Sequence, residues 1–220
     1  MKRKTSLKNF LLGVAALSAV FVSTAASRSA AASLDRIVSR LQQEYEAIST
    51  VSADFTQETS GAGSAAAASA GRVFFKKPGM MKWVYRKPDG DELVSDGKTI
   101  WFFQKDLNQV MERPSGKTQG VATDFLGGIG NIRKEFDVTL ARETGDVYRL
   151  GLAPKNRQAG QSLRNFYIEV DRKTFLVVRT IAENYFGTTT VSFSNISLNS
   201  PIRDSFFKFS PPKGAAVVRP

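Results

Sequence analysis

The sequence predicts a mainly-β (α+β) fold, an incomplete, strongly curved antiparallel β-barrel around an apolar pocket, with an N-terminal helix and a short helical lid. Three observations lead there. About ten short apolar runs follow one another, each bounded by Gly, Asp, Asn or Pro. A single stretch, Ser33 to Ile48, carries sustained helical periodicity. Between Arg72 and Trp101 apolar and charged residues alternate, so Met81, Trp83 and Tyr85 share one face while Lys82, Val84 and Arg86 share the other. One face is then soft and aromatic, the other basic and wet. An antiparallel sheet of that many strands must curl or close, and with aromatic residues on its inner face it encloses a greasy pocket.

In chain order, Lys2, Arg3, Lys4 and Lys8 form a basic start, Phe10 to Val22 an apolar run of thirteen residues, and Ala-x-Ala-like sites follow near Ala26 and Ala30-Ala31-Ala32. A membrane-spanning helix needs about 18–20 apolar residues, so residues 1–32 read as a cleavable signal peptide, with cleavage near 26 or 32. Residues 33–220 then form a single exported domain. The absence of cysteine removes a lipid anchor on the N-terminus, disulfides and thiolate chemistry, and the absence of histidine removes imidazole bases. Losing residues 1–32 takes five basic groups and no acid, leaving 26 basic against 20 acidic residues and a formal charge of +6 instead of +11. The bases are scattered at strand ends and turns, so nucleic acid is not an expected partner. They read first as a solvated sheet edge whose lysines discourage aggregation; transient docking on an anionic membrane surface or an acidic partner is the functional alternative.

Leu34, Ile37, Val38, Leu41, Tyr45 and Ile48 make the stripe of the predicted helix, with Ser33 as its N-cap. Val51, Ala53 and Phe55 begin a strand, and the Gly, Ala and Ser run from Gly61 to Ala70 reads as a flexible hairpin tip. Pro78-Gly79, Asp89-Gly90 and Asp96-Gly97 are turns. Ile100 to Gln104 carries bulk on both faces and is expected to be covered on both sides. From Arg113 to Arg133 the β rhythm stops: Thr123 to Leu126 forms one helical turn between glycines, either a fixed plug in the core or a lid free to lift. The rest is β meander, with Thr188 to Phe193 and Ile196 to Leu198 as separate short runs, closing on the aromatic edge Phe206-Phe207-Lys208-Phe209 before Pro211-Pro212.

Four segments in register resemble one family: Ala53-Asp-Phe-Thr-Gln57, Lys77-Pro78 leading to Trp83, Leu93 to Trp101, and Phe207-Lys-Phe-Ser-Pro-Pro-Lys-Gly214. They are similar to the outer-membrane lipoprotein carrier (LolA) family, over essentially the whole chain after the signal. The resemblance implies a chaperone of the periplasm that takes acylated lipoproteins from an inner-membrane ABC transporter and delivers them to the outer membrane, acting as a monomer, without cofactor or metal, with an outer-membrane lipoprotein receptor left open as recipient. It implies a cavity built from Met81, Trp83, Phe103, Phe125 and Leu126, and a lid latch at Lys77. Where the family carries Arg and Phe, this chain has Lys77 and Met81; Lys is a flexible point charge, lacking the planar fork of Arg. A rival reading is a sensor domain of the same shape for lipoproteins or lipids. An enzyme is not expected: Asp89, Asp91, Glu92 and Asp96 sit in ordinary turn positions.

Overall fold

The computed structural model describes residues 20–61, 64–87, 89–115, 132–155 and 163–219. The chain divides into two units, residues 1–37 and 38–220. The described part of the first is helical, the start of α1 (Val20–Ala47). Ser33 is therefore not the N-cap but an interior helical residue. Alanine has the highest helix propensity, so the run before Ser33 continues the helix instead of starting it.

In the second unit the strands are β1 (Thr50–Gly61), β2 (Ser64–Lys76), β3 (Met80–Lys87), β4 (Asp89–Asp96), β5 (Thr99–Gln104) and β6 (Gln109–Pro114), then a short helix α2 (Ile132–Glu135). After it come β7 (Phe136–Glu143), β8 (Val147–Pro154), β9 (Asn165–Asp171), β10 (Val177–Asn184), β11 (Gly187–Leu198), a 3-10 turn (Asp204–Phe207) and β12 (Ala216–Val218). They form one twelve-stranded open sheet in the order β12-β6-β5-β4-β3-β2-β1-β11-β10-β9-β8-β7, with β12 and β7 as its edges. Every pairing is antiparallel except β12 on β6. This is the mainly-β, unclosed architecture that the strand rhythm predicts.

The turns use the chemistry read from the sequence. Gly79 and Gly97 have positive φ (64° and 89°), and the Asp96 carboxylate accepts the N–H groups of Lys98 and Thr99 at 2.8 Å; Asp89 and Gly90 are instead the first residues of β4, because Asp89 is already paired with Arg86 across the ladder. Two further expectations are corrected. The Ala and Ser residues from 64 to 70 are not a loose tip: they extend β2 along β1, with Ala70 opposite Thr56 and Ser64 opposite Gly61. A ladder on a long neighbouring strand supplies the order that side chains of this size do not. The runs 188–193 and 196–198 are one strand, β11, kinked where the register against β1 shifts; Asn195 adopts φ 51° there, and its amide donates to the Asp54 carboxylate at 2.8 Å.

The C-terminal aromatic stretch is not a sheet edge either. It crosses the outer face of β3 to β5. Phe207 is fully buried, Phe206 packs edge-on against Phe74 with centroids 4.8 Å apart, and Phe209 stacks on Trp101 at 6.0 Å. Lys76 holds this segment through the carbonyl of Ile202 (2.5 Å) and the carboxylate of Asp204 (2.6 Å). The face expected to be basic and wet is thus partly covered, and Lys82 lies over the Phe206 ring at 5.4 Å while pairing with Glu92 at 3.1 Å.

The tail is fastened at its end by Arg219, whose guanidinium donates to Glu112 at 2.8 Å. That hydrogen bond is the main reason the Glu112 carboxyl is held below its ordinary value of 4.5; the Trp101 indole N–H adds to it. A lowered carboxyl pKa contributes stability above the ordinary value, and that contribution is lost as pH falls through the lowered one. In an NMR titration Glu112 is expected to titrate below 4.5 and to move back up in Arg219→Ala.

Candidate functional site

Alternation along β1, β2, β3 and β11 sends Ala53, Phe55, Val73, Phe75, Met81, Trp83 and Val191 to one face, where they form a continuous apolar cluster with Ile100. Phe55 meets Trp83 edge-on at 4.8 Å and Tyr85 at 5.2 Å, and Trp83 in turn meets Phe75 at 5.9 Å and Phe193 at 6.2 Å. Such aromatic pairs add about 0.5–1.5 kcal/mol each beyond their buried area.

Beside this cluster lies a groove. β1 and β2 supply Val51, Ala53, Val73 and Phe75 as its floor; β11 supplies Phe193, Ile196 and Leu198; Val177 opens β10 with Leu176 just before it, and Tyr45 comes from the end of α1. Its free volume is about 30 Å³, whereas sites for small-molecule ligands hold roughly 300–1,000 Å³. The groove is therefore narrow, and a fatty chain requires its walls to part.

The roof is pinned by polar groups around the last turn of α1. A helix end leaves carbonyls without intrahelical partners. The Lys77 ammonium donates to the carbonyls of Tyr45 and, at 3.4 Å, Glu46. Asn199, at φ 55° after β11, donates to the Ala47 carbonyl at 3.4 Å and accepts from the Ser49 N–H at 2.7 Å. The Val177 N–H donates to the Tyr45 hydroxyl oxygen at 3.0 Å. Burial pushes the Tyr45 hydroxyl up to about 12, against the smaller opposing effect of the Val177 N–H, so it stays neutral. Burial likewise lowers the Lys77 pKa, with the nearby Glu46 charge opposing. Carbonyl dipoles at the end of α1 hold that cation, helped by the nearby Glu46 charge.

The predicted site residues divide accordingly. Met81 and Trp83 (3% and 4% exposed) lie together in the apolar cluster, one layer behind the groove wall: Met81 is paired with Phe75 across the β2–β3 ladder. Lys77 sits on the end of α1; Phe125 and Leu126, with the expected lid, lie outside the described residues. Phe103 needs correction. The register runs Trp83 to Leu93 to Phe102, so Phe102 shares the inner face and Phe103 points outward, 6.4 Å from Phe209. Tyr45 was visible only as part of the helix stripe, and nothing local marks Asn199. The acidic cluster is occupied with structure: Asp91 accepts the Lys105 N–H at 2.9 Å, Asp96 closes its turn, and Glu92 pairs with Lys82.

A family model described as outer membrane lipoprotein carrier protein LolA matches residues 46–210. An outer-membrane lipoprotein carrier protein of Chromobacterium violaceum is 30% identical over 182 residues, covering 82% of this chain and 86% of that one. The protein of the same name in Pseudomonas putida is 31% identical over 186 residues, covering 83% and 87%. An uncharacterized conserved protein from Thermus thermophilus shares the fold, with a TM-score of 0.55 at 14% identity over 86% of this chain and 99% of that one. The chain belongs to the LolA family of outer-membrane lipoprotein carrier proteins.

Proposed function

We propose that this protein carries acylated lipoproteins across the periplasm, holding their fatty chains in the apolar groove beneath the end of α1 and handing them to the outer membrane. The observation that supports this reading best is an apolar groove whose roof is fastened by reversible polar contacts to Lys77 and Asn199. Residues 1–32 serve as the export signal. Loading comes from an inner-membrane ABC transporter, and delivery is to an outer-membrane receptor or directly to lipid.

Carriage poses a problem of release. Each buried methylene is worth about 0.8 kcal/mol, so one fatty chain gains on the order of 10 kcal/mol. Opening a narrow groove offsets part of that gain, because apolar walls that now touch each other must separate and the contacts of Lys77 and Asn199 must break. The binding energy is spent partly on opening, and the cargo can leave once the outer membrane offers a better solvent for its chains. In this mechanism Met81 and Trp83 back the wall, Lys77 holds the roof, and Phe125 and Leu126 are further cargo-binding residues.

The experiment is co-purification. The processed protein is mixed with inner-membrane vesicles bearing a working transporter and a triacylated lipoprotein, with and without ATP. ATP-dependent recovery of soluble lipoprotein, one-to-one with this protein, is expected; no release despite a folded protein and an active transporter would overturn the carrier reading. Leu198 lines the groove yet is 38% exposed, so Leu198→Asp is expected to leave folding intact and cut the recovered complex by about tenfold or more, since a fatty chain cannot solvate a carboxylate.

A further inference from the structure

Resting on the carrier reading, we propose that the Trp83 indole N–H is a hydrogen-bond donor to the cargo, and that the group it takes is a neutral acyl carbonyl, the ester or amide that joins a fatty chain to its lipoprotein. Trp83 Nε1 is buried and has no hydrogen-bond partner among the described residues. A buried polar group in that position is costly and uncommon in native structures. The neighbouring polar groups on the same face are already engaged. The Tyr85 hydroxyl donates to Gln57 at 3.4 Å; the Ser95 hydroxyl donates to the Gly79 carbonyl at 3.3 Å and accepts from the Gly97 N–H at 3.1 Å. The protein's other indole, Trp101 on the outer face, donates to Glu112 at 3.2 Å.

The surroundings select the acceptor. Phe55, Phe75 and Phe193 ring the Trp83 indole, and Phe75 and Phe193 are also walls of the groove. A chain that swings either ring aside reaches the N–H. The nearby cations, Arg72 and Lys82, belong to the opposite face by register, paired with Val84 and Phe74. A carboxylate or phosphate entering here would meet one neutral donor and, among the described residues of this face, no counter-charge, at a large desolvation cost. A carbonyl oxygen brings lone pairs and no net charge, so a single N–H suffices. The donor would fix how deep the chains sit, with hydrocarbon in the groove and the linkage at Trp83.

Two short lipopeptides separate the possibilities: one with two fatty chains joined to glycerol by esters, and its twin with ether linkages, each used below its micelle concentration. The processed protein is expected to bind the ester form about three- to tenfold more tightly, the worth of one neutral hydrogen bond. Trp83→Phe keeps an aromatic ring and is expected to erase that preference while still binding the ether form. The chain has two tryptophans, so the indole ¹H–¹⁵N spectrum holds two signals. That of Trp83 is expected to move downfield with the ester ligand and not with the ether, while that of Trp101 stays. This arm needs no variant and decides the matter if Trp83→Phe fails to fold. Equal binding of both ligands with no such shift would overturn the proposal and leave the carrier reading standing; binding of neither would overturn both.

Discussion

Replacing Phe207 with alanine is expected to lower the unfolding free energy by about 3–5 kcal/mol. Phe207 is 0% exposed although it comes from the loop between the last long strand and the tail, and it sits on a face whose Val94 and Val110 are also fully buried. The 3-10 turn that carries it packs on β3 and β4. Truncation removes the transfer energy of a phenyl ring and leaves a hole that the rigid sheet cannot close. Phe206, next to it and 38% exposed, is expected to cost about 1 kcal/mol or less when truncated, since water already reaches it. Urea unfolding of both variants with unchanged m-values measures the difference. Equal losses would mean that the tail is a loosely laid cover and not a second core.

Gly71→Val is expected to be at least as damaging, with a loss of about 3 kcal/mol or more. A Cβ at Gly71 would stand 2.0 Å from the Val84 carbonyl oxygen and 2.9 Å from the Phe55 ring. The first obstacle is backbone and cannot rotate away; the second is locked between Trp83 and Tyr85. Accommodating the side chain means parting β2 from β3 where their register already shifts, between Ala70 and Gly71. Gly145 provides the control, because a Cβ there meets nothing within 4 Å; Gly145→Ala is expected to fall within about 0.5 kcal/mol of the parent. Thermal unfolding of the pair, monitored by the near-ultraviolet signal of the aromatic cluster, tests this directly. If the two variants proved equally stable, the close strand approach at Gly71 would not be a constraint.

The two variants act on opposite faces of the sheet, and they separate stability from carriage. Phe207→Ala weakens the outer face and should leave lipoprotein binding intact wherever the protein remains folded. Gly71→Val disturbs Phe55 and its neighbours and should reduce binding together with stability.

The strand rhythm, the Asp96-Gly97 turn, the apolar stripe ending at Ile48 and the sharing of one face by Met81 and Trp83 were all legible in the chain, because each depends on residues within a few positions of one another. The family was legible for the same reason, from short segments in fixed order. What tertiary structure decided is which segment covers which face. Phe102 and Phe103 must point to opposite sides of β5, but only the register across β3, β4 and β5 makes Phe102 the inner one. The Ala and Ser residues of β2 look unstructured by themselves and are strand because β1 lies alongside. The roof over the groove rests on Lys77 and Asn199, more than a hundred residues apart in sequence, meeting at the end of one helix. Periodicity is local and leaves its mark on the chain, whereas partnership between distant segments follows from how the strands pair and the sheet curves, and leaves none.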